Sequence, residues 1–433
     1  MIEMIECEEA VIQLLEQLKE CGNMDTGEAA QTVKEIVGRV RQEGDAALFE
    51  YTRKFDGSFM NKTNVKVSRE EMKAAFENLN PELQKAMMLS AKRIKAFHEK
   101  QKQNTWMDIK ENGEILGQRV TPLEIVGVYV PGGKAAYPSS VLMNVMPAKV
   151  AGVKQIVMTT PANKEGKLSQ EVLAAAYIAD VTEVYKIGGA QAIAALAFGT
   201  ESISKVDKIV GPGNIYVALA KREVFGYVNI DSIAGPSEIL IIADQSANPT
   251  FLAADLLSQA EHDQLASSIL ITDCKKIAKK VQMEVNRLYE KMPRQEILKE
   301  SLSRYSKIIL VRDIETACQL ANMIAPEHLE LAVEMPFEVL TKIKNAGAIF
   351  LGHYTPEPVG DYMAGPNHVL PTNGTARFFS PLGVDDFVKK SSILSFSKAA
   401  LLPLGEAIVK FAESENLYAH ALSVQLRLDE EEC

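Results

Sequence analysis

Gln259 and His262 stand three residues apart in Ser-Gln-Ala-Glu-His-Asp, on a segment whose apolar spacing predicts a helix over 251–266. Residues three apart share a helix face, so an amide oxygen and an imidazole there can reach one ion. Asp361 in Pro-Val-Gly-Asp-Tyr and His420 in Glu-Asn-Leu-Tyr-Ala-His add a carboxylate and a second imidazole. Two nitrogens and two hard oxygens suit a divalent cation. Zinc fits the mix, with manganese or cobalt as replacements, and the lack of a thiolate argues against a purely structural zinc site. Alone, the Gln-x-x-His spacing also describes an ordinary polar helix face.

Ala-Pro-Glu-His-Leu-Glu sets a carboxylate, Glu327, beside an imidazole, His328. Histidine is the side chain whose proton moves near neutral pH, so the pair reads as an acid/base couple. Pro326 suits a first helical position, which predicts that Glu327 and His328 open a helix. The positive end of that helix would favour an ionised Glu327 and a neutral His328 able to accept a proton. A helix cap bearing a surface histidine is the competing reading. The chain has six histidines; His98, His353 and His368 read as structural or surface. Glu415 precedes His420 by five residues, about 140° away on an unbroken helix. A break is therefore expected at Ser414-Glu415-Asn416, where Asn416 tolerates left-handed geometry. Ser237, in Ala-Gly-Pro-Ser-Glu, can bond a ligand, although serine in a turn is ordinary.

Gly188-Gly189-Ala190-Gln191 and Gly211-Pro212-Gly213-Asn214 each stand where a strand gives way to a helix. Backbone amides at such turns can cradle a phosphate. Neither is a Gly-x-Gly-x-x-Gly, since Tyr216 takes the third position, so a packing turn competes with a nucleotide site. Tyr129-Val130-Pro131-Gly132-Gly133 adds a third glycine-rich turn in favour of a nucleotide.

The elements that must position these residues alternate. Strands are predicted at 125–130, 155–160, 183–187, 208–210, 238–243, 268–272 and 307–311. Helices are predicted at 170–179, 190–198, 275–289 and 314–324, with another ending at Val224. This alternation specifies a doubly wound parallel sheet. Helices are also expected over 1–20, 26–55 and 70–102, with Gly57 as a stop. The segment 351–382, rich in glycine and proline, exceeds an ordinary connection and reads as functional. A helical arm is expected from 385.

At 433 residues the chain needs more than one core. A net charge of -10 with both signs interspersed argues against a nucleic-acid partner. Five scattered cysteines without a Cys-x-x-Cys point to a reducing cytoplasm. The acidic start lacks a signal pattern, and no apolar run reaches membrane-spanning length, so no membrane association is expected.

Taken together, these segments resemble the histidinol dehydrogenase family. The likeness is carried by Gly44-Asp45-Ala46-Ala47-Leu48, Phe55-Asp56-Gly57, VYVPGGKAAYPSSVLMNVMPAKV at 128–150, and stretches 210–216, 231–240, 258–263, 325–330 and 347–370. It runs from about residue 30 to 427. The resemblance implies a fold of two incomplete Rossmann-like α/β domains with helical extensions: an arm at 1–20, a discontinuous first domain at 21–128 and 237–380, a second at 129–236, and a dimerisation arm at 381–433. It implies a four-electron oxidation of L-histidinol through L-histidinal to L-histidine, with two NAD+ reduced. Gln259, His262, Asp361 and His420 would be the ligands of one zinc per subunit, and Glu327 and His328 the acid/base pair. Ser237 and Glu415, with those same residues, would line the substrate, and Tyr129, Gln191 and Asn214 would contact NAD. The family's assembly implies a homodimer with shared active sites. Asn416 stands where many relatives carry glycine. Three other classes compete: a cysteine-based aldehyde dehydrogenase using Cys274 or Cys318, a zinc hydrolase, and a non-catalytic metal-binding protein. None of these explains both the Glu-His pair and the glycine-rich turns.

Overall fold

The computed structural model describes residues 2–6, 13, 14, 16, 27–132, 137–233 and 235–429. The chain forms two units, one of Met1–Gln101 with Leu123–Phe387, the other of Lys102–Pro122 with Val388–Cys433.

Two six-stranded sheets build the first unit. One is wholly parallel, in the spatial order Glu3–Ile5, Lys307–Leu310, Ser267–Thr272, Glu238–Ala243, His328–Ala332, Ala348–Leu351. Its central strand reads Glu-Ile-Leu-Ile-Ile-Ala because helices cover both faces. Ile239 and Ile241 pack with Leu252, Leu256 and Val281 on one side; Leu240 and Ile242 pack with Ala317, Ala321 and Leu329 on the other. Alternate residues of a strand point to opposite layers, so a doubly covered strand must be apolar throughout. Burying each such aliphatic side chain contributes about 1.5–3 kcal/mol.

The other sheet runs Lys66–Val67, Glu183–Tyr185, Gln155–Thr159, Ile125–Tyr129, Lys208–Val210, Asn229–Ile230, parallel except for its first pair. The expected pair of parallel α/β sheets is thus present. The strand Ile125–Tyr129 lies at the middle of this sheet, hydrogen-bonded to both Gln155–Thr159 and Lys208–Val210. Within this layer the helix Gly189–Phe198 is buried on all sides, and its small alanines let it approach the sheet closely.

Several local expectations give way to tertiary pairing. Glu3–Ile5 is an edge strand, not helix: Ile2 packs toward one core and Ile5 toward the other. Gln13, Leu14 and Glu16 are helical, and the rest of the expected 1–20 helix lies outside the described residues. The helix expected over 26–55 is two, Gly27–Glu43 and Asp45–Phe55, broken at Gly44 with φ 56°. Likewise 70–102 divides into Arg69–Glu77 and Pro81–His98, the second capped by the Asn80 side chain.

The second unit is a three-stranded antiparallel sheet, ordered Val388–Ser395, Ile115–Pro122, Trp106–Ile109, with helices Lys398–Ser414 and Tyr418–Leu428. The C-terminal segment therefore opens on a strand where a helical arm was expected, because its pairing partner is remote in sequence. Among the described residues no helix is long and apolar enough to cross a membrane.

Candidate active site

The helix Ile314–Ile324 stops at Ala325, whose φ of 54° is left-handed, and the chain passes through Pro326 into the strand His328–Ala332. Glu327 and His328 do not open a helix. The Gly347 N–H donates to the Pro326 carbonyl and the Ala348 N–H to that of Glu327, each at 2.9 Å, which pulls the segment into the sheet. Both side chains are buried at the sheet's N-terminal edge.

Their charge states follow from burial and not from a helix dipole. Burial, reinforced by the carboxyls of Glu238 and Asp361, pushes Glu327 well above the usual carboxylate range. The expectation of an ionised Glu327 is thus corrected for the protein alone. Burial lowers His328 to about 4, so it is neutral as expected, from a different cause. The Glu238 N–H donates to Glu327 Oε2 at 2.9 Å, and the Asn373 N–H to Glu238 Oε1 at 3.0 Å. Burial holds Glu238 itself at about 7. His328 Nδ1 lies 2.9 Å from the Glu238 carbonyl oxygen. A carbonyl only accepts, so Nδ1 carries the hydrogen and Nε2 keeps its lone pair. That Nε2 is buried and has no protein partner.

The helix Pro249–Ala260 ends before His262, shorter than expected. Gln259, on its last turn, is fully buried, and neither amide atom has a partner. His262 lies just beyond, its backbone N–H donating to the Gln259 carbonyl at 3.2 Å, so a turn preserves the three-residue relation. The His262 side chain is exposed, yet surrounding protein lowers its pKa, an effect that Asp361 opposes. Asp361 sits in the π-helical turn Gly360–Ala364. Burial alone would raise its pKa, but a hydrogen bond and charge from His368, with His328, carry it down to about 2. His328, Glu357 and Asp361 offer ligand atoms all within 4.8 Å of one another. An orphaned buried amide costs about 1–3 kcal/mol. An ion bound to Gln259 Oε1 would relieve part of it, so hard oxygens and imidazoles here fit a divalent cation.

Five neighbours escaped the sequence reading. His368 Nδ1 lies 3.6 Å from Asp361 Oδ1, so this histidine is not a bystander. Ser258 Oγ donates to Glu357 Oε2 at 3.1 Å, and the Glu357 N–H donates to Glu330 Oε1 at 2.9 Å. These bonds tie the helix of Gln259 to the turn of Asp361. Burial and Asp361 push Glu357 up to about 8. Glu238 completes the group. Glu357 and His368 lie in the marked segment 351–382, and Glu238, Ser258 and Glu330 inside motifs already singled out, but no residue type or spacing assigned any of them a part in the site.

Ser237 is half-buried directly before Glu238, and its carbonyl accepts from the Ser267 N–H at 3.0 Å. Glu415 and His420 belong to the second unit, and both are exposed. The expected break between them exists. Asn416 has φ 60°, its N–H donates to the Glu413 carbonyl, and the Leu417 N–H donates to that of Ala412, each at 2.9 Å. This is a Schellman helix stop with asparagine in the left-handed position.

A cleft of about 920 Å³ opens at the C-terminal edge of the second sheet, lined by Asp56, Tyr129, Thr160, Gly189, Gln191 and Asn214, among others. Strand ends of this kind, where glycine turns lead into helices, are the usual place for a nucleotide in an α/β sheet. Tyr129 is buried, and its hydroxyl accepts from the Gly189 N–H at 3.1 Å. Burial raises its pKa to about 12, so it stays a neutral phenol. Gln191 is buried in an otherwise apolar helix with Nε2 unpartnered, which suits contact with an added ligand. Asn214 is also a helix cap: its side-chain oxygen accepts from the N–H groups of Tyr216 and Val217. Asp56, unmarked in the sequence as a site residue, stands in the same cleft with burial raising it to about 6.

The sequence profile of the histidinol dehydrogenase family matches residues 20–428. Histidinol dehydrogenase of Caldanaerobacter subterraneus subsp. tengcongensis is 56% identical over 428 residues, covering 99% of both chains. That of Aquifex aeolicus is 55% identical over 413 residues, covering 95% of this chain and 96% of its own. The crystal structure of histidinol dehydrogenase from Elizabethkingia anophelis superposes with a TM-score of 0.88 at 41% identity, over 92% of each chain.

Proposed function

The chain belongs to the histidinol dehydrogenase family of oxidoreductases, and from that premise we propose a zinc-dependent, NAD-linked oxidation of L-histidinol through L-histidinal to L-histidine. The observation that carries it is the set of buried, unpartnered donor atoms, both amide atoms of Gln259 and Nε2 of His328, on the unit where Asp361 is held ionised. Gln259, His262, Asp361 and His420 would hold the ion. Zinc held by these residues would supply a positive charge that favours the substrate's nitrogens as free bases, and NAD bound in the cleft would supply the hydride acceptor for each oxidation.

His328 does the proton work. Its Nε2 accepts the alcohol's hydroxyl proton, and later that of the hydrated aldehyde, while the Nδ1 hydrogen on the Glu238 carbonyl fixes the ring. Glu327 takes a proton from the water that adds to the aldehyde carbon, so the hydrate presents a second C–H for oxidation. Burial favours protonated Glu327, so this role needs positive charge close by, and the donors around Asp361 are where a cation would supply it. In this reading Ser237 would line the substrate, with Glu415 supplied by the partner chain, and Tyr129, Gln191 and Asn214 would contact NAD. Purified enzyme with zinc should form two NADH per histidinol consumed and stop when a chelator strips the metal. One NADH per histidinol, or full turnover by stripped protein, would overturn the reading.

A homodimer intertwined through the second unit belongs to the same proposal. Trp106, Ile109, Phe411, Leu422 and Leu426 of that unit are exposed. Monomers rarely leave so many large apolar side chains in water, and a symmetric copy would cover them. Glu415 and His420 would then complete the partner's site. The free thiols Cys274 and Cys318 suit work in a reducing cytoplasm.

A further inference from the structure

Gly211 opens the turn that leads to Asn214, and it is held from both ends. Its N–H donates to Asp231 Oδ2 at 2.8 Å, and its carbonyl accepts from Lys221 Nζ at 3.1 Å. Lys221 and Asp231 are also paired with each other, and their side chains are only 3% and 5% exposed. The grip is needed because Gly211 runs at φ 114° and lies so close to Tyr129 that a Cβ there would meet the Tyr129 carbonyl oxygen at 2.1 Å. Lys221 rises from the helix Ile215–Val224 that Asn214 caps. Asp231 follows the edge strand Asn229–Ile230, accepts from the Ser232 N–H at 2.7 Å, and begins the segment that runs on to Ser237 and Glu238.

An ion pair buried this deeply is a weak source of stability, because desolvation offsets most of the attraction. Its hydrogen bonds go instead to Gly211, which packs against Tyr129 and opens the turn to Asn214. Resting on the placement of NAD in the cleft, we propose that Lys221 and Asp231 are positioning residues for the cofactor: together they lock Gly211 so that Tyr129 and Asn214 face the nucleotide in fixed register. Neither touches the reacting atoms. The same lock fixes the start of the segment that delivers Ser237 to the substrate.

The double variant Lys221→Met/Asp231→Leu removes both charges at once and leaves no buried ion unpaired. We expect an unfolding midpoint and zinc content close to the parent, a KM for NAD+ raised by about tenfold or more, and a KM for histidinol changed by less than about twofold. A KM for NAD+ within about twofold of the parent, or equal rises in both KM values, overturns the proposal. Gln191→Ala, measured in parallel, separates this failure from that of the cleft itself. A raised KM for NAD+ in Gln191→Ala alone leaves the cleft standing and removes the positioning role; no rise in either variant removes both. If the double variant does not fold, Asp231→Glu keeps the charge pair and moves the carboxylate away from the Gly211 N–H. It should raise the KM for NAD+ by about threefold or more, and an unchanged value rejects the lock.

Discussion

His328 shows why charge state must be argued from surroundings. The ring is neutral because it is buried, and its tautomer follows from one carbonyl oxygen at 2.9 Å. His328→Asn should lower kcat for both oxidations by about 10²–10⁴-fold, the usual worth of a positioned general base, with zinc content unchanged. Because His328 shares a tight cluster with Glu357 and Asp361, metal analysis is the deciding control, and zinc lost in step with activity would make it a ligand. Glu327→Gln should slow turnover of supplied histidinal more than release of the first NADH from histidinol. Equal slowing of both steps would end the case for water activation. At this scale the Glu-His adjacency was legible in the sequence. The parts played by Glu238, Glu357 and His368 were not, because each is separated in sequence from the residue it serves.

Helices and strands explain where the side chains arrive. The helix Pro81–His98 ends on a fully buried histidine whose Nδ1 lies 2.8 Å from the Ile94 carbonyl. Burial lowers the pKa of His98 below the ordinary 6.5. A depressed folded-state value means the neutral form is preferred in the fold. Its stabilisation is complete above pH 6.5 and lost as pH falls through 6.5 toward the folded value, at most about 1.4 kcal/mol per pH unit. Denaturant unfolding at pH 7.5 and 5.5 should therefore cost the parent more than His98→Phe, and identical losses would show that His98 contributes nothing to the pH dependence. The break at Asn416 was readable from the five-residue spacing of Glu415 and His420 together with residue type, since few residues besides glycine accept positive φ. The strand at Glu327-His328 was not. The helical start suggested by Pro326 yields to pairing with Ala348–Leu351, which lies about twenty residues downstream.

The whole molecule places both candidate sites on one unit. Glu327 and His328 lie at the N-terminal edge of one sheet, and the cleft lined by Tyr129, Gln191 and Asn214 at the C-terminal edge of the other. The second unit carries Glu415 and His420 with exposed apolar helices. If those residues serve a partner's site, mixing inactive His420→Ala chains with inactive His328→Ala chains should restore up to about a quarter of parental activity per dimer site, from random pairing of two chain types. No recovery after verified subunit exchange would mean that each site is built from one chain.

Residue types and spacing marked the candidates: a glutamine, histidines and carboxylates able to hold a hard or borderline ion, an adjacent carboxylate and imidazole, glycine turns ahead of helices, and an alternation that specifies parallel sheets. These are local properties, readable wherever neighbours in sequence share a task. Only tertiary structure decided that Glu327 is buried among other carboxyls, that Gln259 has no protein partner, and that Lys221 and Asp231 close on Gly211. Burial and orphaned donors depend on what remote segments bring within a few ångströms, and pKa responds steeply to that distance and to the exclusion of water.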